Sequence, residues 1–326
     1  MFSKKEREVT MGAVQDANKA IVLRNYEEIW NQGNFDLANE LVDPNFTDHP
    51  PTRFFDVGRT GPASLQEAVH HFRDAFPDFH DMKQMIVAEG DMVAYLGTIS
   101  GTQHGNLFGF DPAGEGNKMR VRGVNFFRCD HGQIVERWGQ FDVLTMMMQL
   151  GLAPSPGGPP GLGEDPEELP IGPGTPESIE RNKNVYRRMV DEVVNQGMFD
   201  VVDEIFDPAY HDHSSPPGVP GGTEGVKAIF GMFRTAFPDV KFTIHSLVGE
   251  GDMVASLVSG EGTQDGPFMD IPPTGKHAIW RSVGFFRVTD KGQIVEHVGI
   301  PDMLGLLIQI GVIPPPPNVE SAKAHD

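Results

Sequence analysis

Apolar residues recur at helical spacing from Ile21 and Val22 through Tyr26 and Ile29 to Trp30, and Gly33 supplies a stop. The same stripe returns as Val185, Met189, Val190, Val193 and Val194, stopped by Gly197. Short second helices are predicted over 36–42 and 200–206, with Asp36 and Asp200 at the N-cap positions. A third helix carries Leu65, Ala68, Val69, Phe72 and Phe76 and ends at Pro77. Its counterpart carries Val226, Ile229, Phe230, Phe233 and Phe237 and ends at Pro238. The period then changes: 91–101, 119–128 and 133–142 read as strands between glycine-rich turns. Helices followed by an antiparallel meander predict an α+β domain. Three helices on a curved sheet would enclose a cone with an apolar interior, a shape that receives small molecules.

The pattern occurs twice because the chain repeats itself. Asn31-Gln32-Gly33 recurs 164 residues later as Asn195-Gln196-Gly197. Gly90 to Ala94 recurs 161 residues later as Gly251 to Ala255, and Gly132 to Glu136 recurs 160 residues later as Gly292 to Glu296. The expected organisation is one copy over 1–151, a linker over 152–176, a second copy over 177–313 and a flexible tail over 314–326. The linker holds eight prolines and six glycines in 25 residues, too little apolar surface for a core. The pair could imitate a dimer within one chain, and assembly of whole chains into homo-oligomers stays open.

Charge narrows the partners. Lysine and arginine total 26 against 46 aspartates and glutamates, a formal net charge of −20. Phosphate backbones and anionic membranes both call for clustered positive charge, so neither nucleic acid nor membrane is expected. The first twenty residues lack the apolar core of a secretory signal, and a cytoplasmic location is expected. The single cysteine, Cys129, can form neither an internal disulfide nor a multi-cysteine zinc site.

Candidate chemistry gathers at the last strand. Glu136, Trp138, Gln140 and Asp142 share one face of it, as do Glu296, Val298, Ile300 and Asp302 in the second copy. Apolar neighbours would raise the pKa of a terminal carboxyl and suit it to take a proton from a carbon acid. Asp142 and Asp302 also precede apolar helical segments, so on pattern alone the N-cap role ranks ahead of catalysis for each, and the two roles are compatible. Asp48-His49 aligns with Asp212-His213, and His49 and His213 are candidate proton shuttles. His211 and His213 alternate on one strand, but two histidines without a third ligand do not make a metal site, and none is expected. Gln103 and Gln264 could hydrogen-bond a substrate carbonyl, and Arg122 and Arg281 could orient a carboxylate. The triple Met146-Met147-Met148 reads as core filler, and His70, His71 and His80 as surface.

The quoted segments carry a resemblance. The pairs "NQGNFD" and "NQGMFD", "FPDFHDM" and "FPDVKFT", and "GDMVAYLGTISGTQHG" and "GDMVASLVSGEGTQDG" resemble the SnoaL-like polyketide cyclase, or ester cyclase, family of the nuclear-transport-factor-2-like fold. So do "GQIVERWGQFDVLTMMMQLG" and "GQIVEHVGIPDMLGLLIQIG". The resemblance implies two tandem cone-shaped α+β barrels, an aspartate acid/base at Asp142 and Asp302, and an intramolecular aldol closure without metal or organic cofactor. Where the family often has histidine after Gly-Thr, both copies have glutamine, and the first copy replaces the "PPTG" of the second with Asp111-Pro112-Ala113-Gly114.

The leading reading is therefore a cyclase, isomerase or lyase acting on a small molecule. The alternative is a non-catalytic binding protein for an apolar ligand or a protein partner. Epoxide hydrolysis ranks third, because no arginine is evident between two inward acids, as water activation on this fold would need.

Overall fold

The computed structural model describes residues 4–51, 55–114, 116–155, 160–162, 167–215 and 218–314. Within it the chain divides into two compact units that meet at Leu169/Pro170. The tail beyond Pro314, and positions 156–159 and 163–166 of the expected linker, lie outside the described residues.

In the first unit helix α1 (Lys4–Arg24) runs on as a wider π-helical stretch over Asn25–Asn31 and stops at Gly33, whose φ of 75° suits glycine. A 3-10 turn (Phe35–Leu37) and α2 (Ala38–Leu41) follow, so Asp36 lies inside the turn and not at the expected N-cap; Asn34 precedes it. Strand β1 (Val42–His49), helix α3 (Pro62–Ala75), strands β2 (His80–Glu89), β3 (Met92–Thr102), β4 (Lys118–Asp130) and β5 (Gln133–Phe141), and helix α4 (Val143–Gln149) complete it.

The second unit repeats this order. It has α5 (Pro176–Arg188) with a π-helical extension over Met189–Asn195, then a 3-10 turn (Phe199–Val201) and α6 (Val202–Ile205). Strand β6 (Phe206–Asp212) and helix α7 (Gly222–Ala236) come next. Strands β7 (Lys241–Glu250), β8 (Met253–Thr263), β9 (His277–Val288) and β10 (Ile294–Pro301) lead to α8 (Met303–Gln309). Asp200 sits inside its turn, as Asp36 does.

Each sheet has five strands, in the orders β1-β5-β4-β3-β2 and β6-β10-β9-β8-β7. The four later strands form the antiparallel meander, and β1 and β6 add parallel to the last strands. The repeated Asn-Gln-Gly motif has a clear structural task. Asn31 bonds both backbone groups of Asp81 (2.9 and 2.7 Å), and Asn195 does the same to Phe242 (3.0 and 2.7 Å). Each asparagine thus ties the helix end to an edge strand. Arg73 caps the same helix end by donating to the carbonyls of Trp30 and Asn31, and Arg234 donates to those of Val194 and Asn195. Met146 and Met147 are buried, as core filler should be. Among the described residues no helix is long and apolar enough to cross a membrane.

Candidate active site

The last strand of each unit delivers its aspartate to a helix start. The Asp142 carboxylate accepts from the Thr145 amide at 3.0 Å, and its own amide donates to the Arg122 carbonyl at 3.1 Å. Asp302 accepts from the Gly305 amide at 2.8 Å, and its amide donates to the Arg281 carbonyl at 2.8 Å. Both are half-buried N-caps. A Cβ at Gly305 would collide with the Asp302 carboxylate, so glycine there lets the backbone close over it. Burial pushes the Asp302 carboxyl up to about 6, with the Gly305 amide and the Arg281 charge pulling the other way. Burial alone lowers the pKa of the half-buried Arg122.

The histidines point elsewhere. Strand alternation puts Glu136, Trp138 and Gln140 on one face and Arg137, Gly139 and Phe141 on the other. The helices cover the second face: Arg137 lies over the Trp30 ring at 5.8 Å, and Phe141 meets Phe72 of α3 at 6.0 Å. The face that carries Glu136 and Trp138 is therefore the one turned away from the cone. There His49 bonds Glu136 at 2.9 Å and stacks on Trp138 at 5.3 Å, while Arg128 holds the other Glu136 oxygen at 2.7 Å. His213 repeats the motif with Glu296 at 2.7 Å, and Arg287 approaches the second oxygen at 2.6 Å. His211 is exposed, its ring edge-on to His213 at 4.5 Å. His49 pairs with Trp138, four residues before Asp142, or roughly 13 Å along the strand. The structure therefore does not bring the histidines and the capping aspartates together. Gln140 is buried, its amide donating to the Phe141 carbonyl at 3.3 Å while its Oε1 has no protein partner.

Inside the first cone stands a polar cluster that sequence reasoning missed. Arg137 pairs with Asp48 at 3.5 Å and donates to Asn125 at 3.1 Å. Its charge also acts on Asp81, which is buried, accepts from the Tyr95 hydroxyl at 2.6 Å and has its carboxyl raised by burial to about 7. Gly97 makes room for this contact, since a Cβ there would strike both Asp81 and Tyr95. An arginine thus does stand between two inward acids, which overturns the expectation that none does. Parity alone does not reveal which face the helices cover, and Asp81 comes from a distant edge strand.

The second cone has a different pair. His297 occupies the place of Arg137, and its Nδ1 lies 3.2 Å from Asp212, the counterpart of Asp48. The ring stacks on Phe286 at 4.3 Å. Asp212 also accepts from the Ser214 amide at 2.8 Å. Burial would raise its carboxyl, but the bonds from His297 and Ser214 outweigh that and hold it below the usual range. A basic side chain opposite an acid at the same aligned positions in both copies was the available signal. Among the described residues no group of three or more histidines, cysteines or acids is placed to hold a metal ion.

A family model for SnoaL-like polyketide cyclases matches residues 20–150 and again 184–310. The chain belongs to the SnoaL-like polyketide cyclase family. Similar solved structures each correspond to one copy. TsrD from Streptomyces laurentii is 26% identical, covering 43% of this chain and 99% of its own, with a TM-score of 0.38. IdmH from Streptomyces antibioticus is 31% identical, covering 40% and 99%, with a TM-score of 0.36. A SnoaL-like polyketide cyclase from Agrobacterium tumefaciens is 21% identical, covering 40% and 98%, with a TM-score of 0.35. No curated protein matches the chain.

The two glutamines that follow the Gly-Thr pairs act as loop staples. Gln264 is fully buried, donates to the carbonyls of Gly266 and Pro272 at 3.2 and 3.1 Å, and accepts from the Thr274 hydroxyl at 2.6 Å. Gln103 donates to the carbonyls of Gly105 and Phe110 at 3.2 and 3.4 Å, but its buried Oε1 has no partner. Ala113 stands where the second copy has Thr274, so the loss of "PPTG" in copy one removes one hydroxyl from that bond set.

Proposed function

We propose that this SnoaL-like chain is a small-molecule enzyme of the cyclase type, in which a strand-end aspartate moves the proton of a carbon acid. The reaction class is an intramolecular aldol closure, or a related isomerisation or lyase step, on a polyketide-like ester and without metal or organic cofactor. The observation that carries this reading is the Asp302 carboxyl, held up to about 6 by burial at the position where the family resemblance places the acid/base. A group with that pKa is basic enough to accept a proton and acidic enough to return it near neutral pH. Asp142 has the same backbone setting and is the corresponding group in the first copy. His49 and His213, hydrogen-bonded to glutamates on the other face, take no step in this scheme.

The epoxide-hydrolase reading gains the Asp48–Arg137–Asp81 arrangement. It loses by the packing of Trp30, Phe55, Phe72 and Phe141 over the same interior. The test of the leading reading is turnover of a cyclisable aryl β-keto ester by Asp302→Asn and Asp142→Asn, since asparagine keeps the cap. Loss of turnover with retained fold supports it. Unchanged turnover in both variants, and in the double variant, removes the aspartates from the chemistry. Binding without any turnover in the unmodified chain points instead to a binding protein.

A further inference from the structure

The two cones differ inside. In copy one Tyr26, Trp30, Tyr95 and Phe141 fill the space between helices and sheet, with Tyr26 and Tyr95 stacked at 3.9 Å. The aligned positions in copy two are Val190, Val194, Ser256 and Pro301. Trp280 and Phe242, in place of Val121 and Asp81, restore part of that volume. Tyr186 and Phe206, both buried, stand in place of Val22 and Val42 and restore more of it, so the difference in access lies at the third helix. Phe230 and Phe242 pack against its core and Phe233 against Trp280, yet all three are partly exposed, whereas Val69 and Phe72 of copy one are buried.

The polar groups differ in the same sense. Arg137 of copy one is engaged by Asp48, Asn125 and the Trp30 ring. In copy two the position of Asn125 is Gly284, and Gly284 and Gly299 flank the Nε2 edge of His297: a Cβ at Gly284 would lie 3.0 Å from Nε2, and one at Gly299 would strike the ring. Among the described residues Nε2 makes no hydrogen bond, while Nδ1 faces Asp212. An imidazole that donates Nδ1–H to a carboxylate presents Nε2 as its basic nitrogen.

We infer that the second copy is the ligand-receiving cone of this chain and that His297, oriented by Asp212, is a catalytic acid/base within it. The inference rests on the proposed small-molecule chemistry and, in the second copy, assigns the carbon-acid proton to His297 in place of Asp302. Nε2 takes the α-proton of a carbon flanked by two carbonyls; the C–H pair becomes the enolate, and the imidazolium is stabilised by Asp212. The enolate carbon then bonds the acceptor carbonyl carbon, and the new alkoxide takes the proton back from Nε2, so the enzyme ends unchanged. Asp212 is a positioning residue, fixed in turn by Ser214.

Exchange of the α-proton of ethyl 2-methylacetoacetate in D2O, read by proton NMR, tests this without the natural substrate. Binding is read separately as energy transfer from Trp280 to 1-anilinonaphthalene-8-sulfonate, in a chain whose two other tryptophans, Trp30 and Trp138, are replaced by phenylalanine. His297→Gln is expected to slow exchange by about 100-fold or more and to keep dye binding. Asp212→Asn is expected to slow it less and to shift the pH profile of the rate. Ser256→Tyr, which restores the ring of copy one, is expected to abolish both dye transfer and exchange with an unchanged circular dichroism spectrum. Full exchange in His297→Gln, or full exchange and dye transfer in a folded Ser256→Tyr, overturns the inference. Exchange lost in Asp302→Asn but intact in His297→Gln overturns it while leaving the proposed function standing. No exchange by the unmodified chain, with dye bound, overturns both.

Discussion

Replacing Asp302 by asparagine should make the protein more stable above neutral pH while removing its proposed acid/base. The carboxyl is raised from 3.8 to about 6, chiefly by burial. The folded state therefore holds this proton more tightly than the unfolded chain does. Stability from that proton is complete below the unfolded value near 4 and is lost as pH rises through about 6. A shift of about two units corresponds to a ceiling of ~3 kcal/mol at ~1.4 kcal/mol per unit. Because the side chain is only half-buried, solvent reduces this to about 1–2 kcal/mol. Asparagine has no charge to desolvate and accepts the Gly305 amide equally well. The variant and the parent should thus unfold alike at pH 4, and the variant should be more stable by about 1–2 kcal/mol at pH 8. Urea unfolding followed by Trp280 emission in the same double-phenylalanine background measures both. Asp142→Asn, whose cap is the Thr145 amide, is the control for helix capping. A variant less stable than the parent at pH 8, or a difference that does not change with pH, would refute the reasoning.

Three further outcomes follow from individual contacts. Thr274→Ala should cost about 1–2 kcal/mol by orphaning the buried Gln264 oxygen, and Ala113→Thr should gain about 1 kcal/mol by supplying the hydroxyl that Gln103 lacks; thermal unfolding reads both. The Glu296 carboxyl is held down to about 2, first by the bond from His213 and then by Arg287 against the cost of burial. Its stabilisation is present above about 4.5 and lost as pH falls toward 2, so Glu296→Gln should cost about 1–2 kcal/mol at pH 7 and nothing at pH 2, checked by urea unfolding at the two pH values. Burial pushes the Cys129 thiol up to about 12, so Ellman's reagent should label it only once urea has unfolded the chain.

The duplication, the amphipathic helices and the meander were legible because hydrophobic period and exact repeats are local properties of the chain. The first strand of each sheet was not. Val42 to His49 mixes proline, aspartate and asparagine, and its burial reads irregularly because it bulges before pairing parallel with β5. The capping aspartates were found because a cap is defined by the residues that follow it. The inward clusters were missed because they require knowing which strand face the helices cover. Glu136, Trp138 and Gln140 shared a face as expected, but it is the face turned from the helices, and the residues on the covered face are Arg137 and, in the second copy, His297. Gln103 and Gln264 sat beside a glycine-rich loop, and only coordinates reveal that the loop folds back onto their amides.

The stretch between the copies also has a protective consequence. Leu169 donates its amide to the Gln84 carbonyl at 2.8 Å, on the outermost strand of the first sheet, and Lys83 pairs with Glu168 at 2.8 Å. An uncovered strand of that kind is a template for another chain to add to. Expressing the first half alone with its end trimmed back to α4 would bare this rim and invite fibre-like self-association, whereas a fragment that keeps residues through Leu169 carries its own shield.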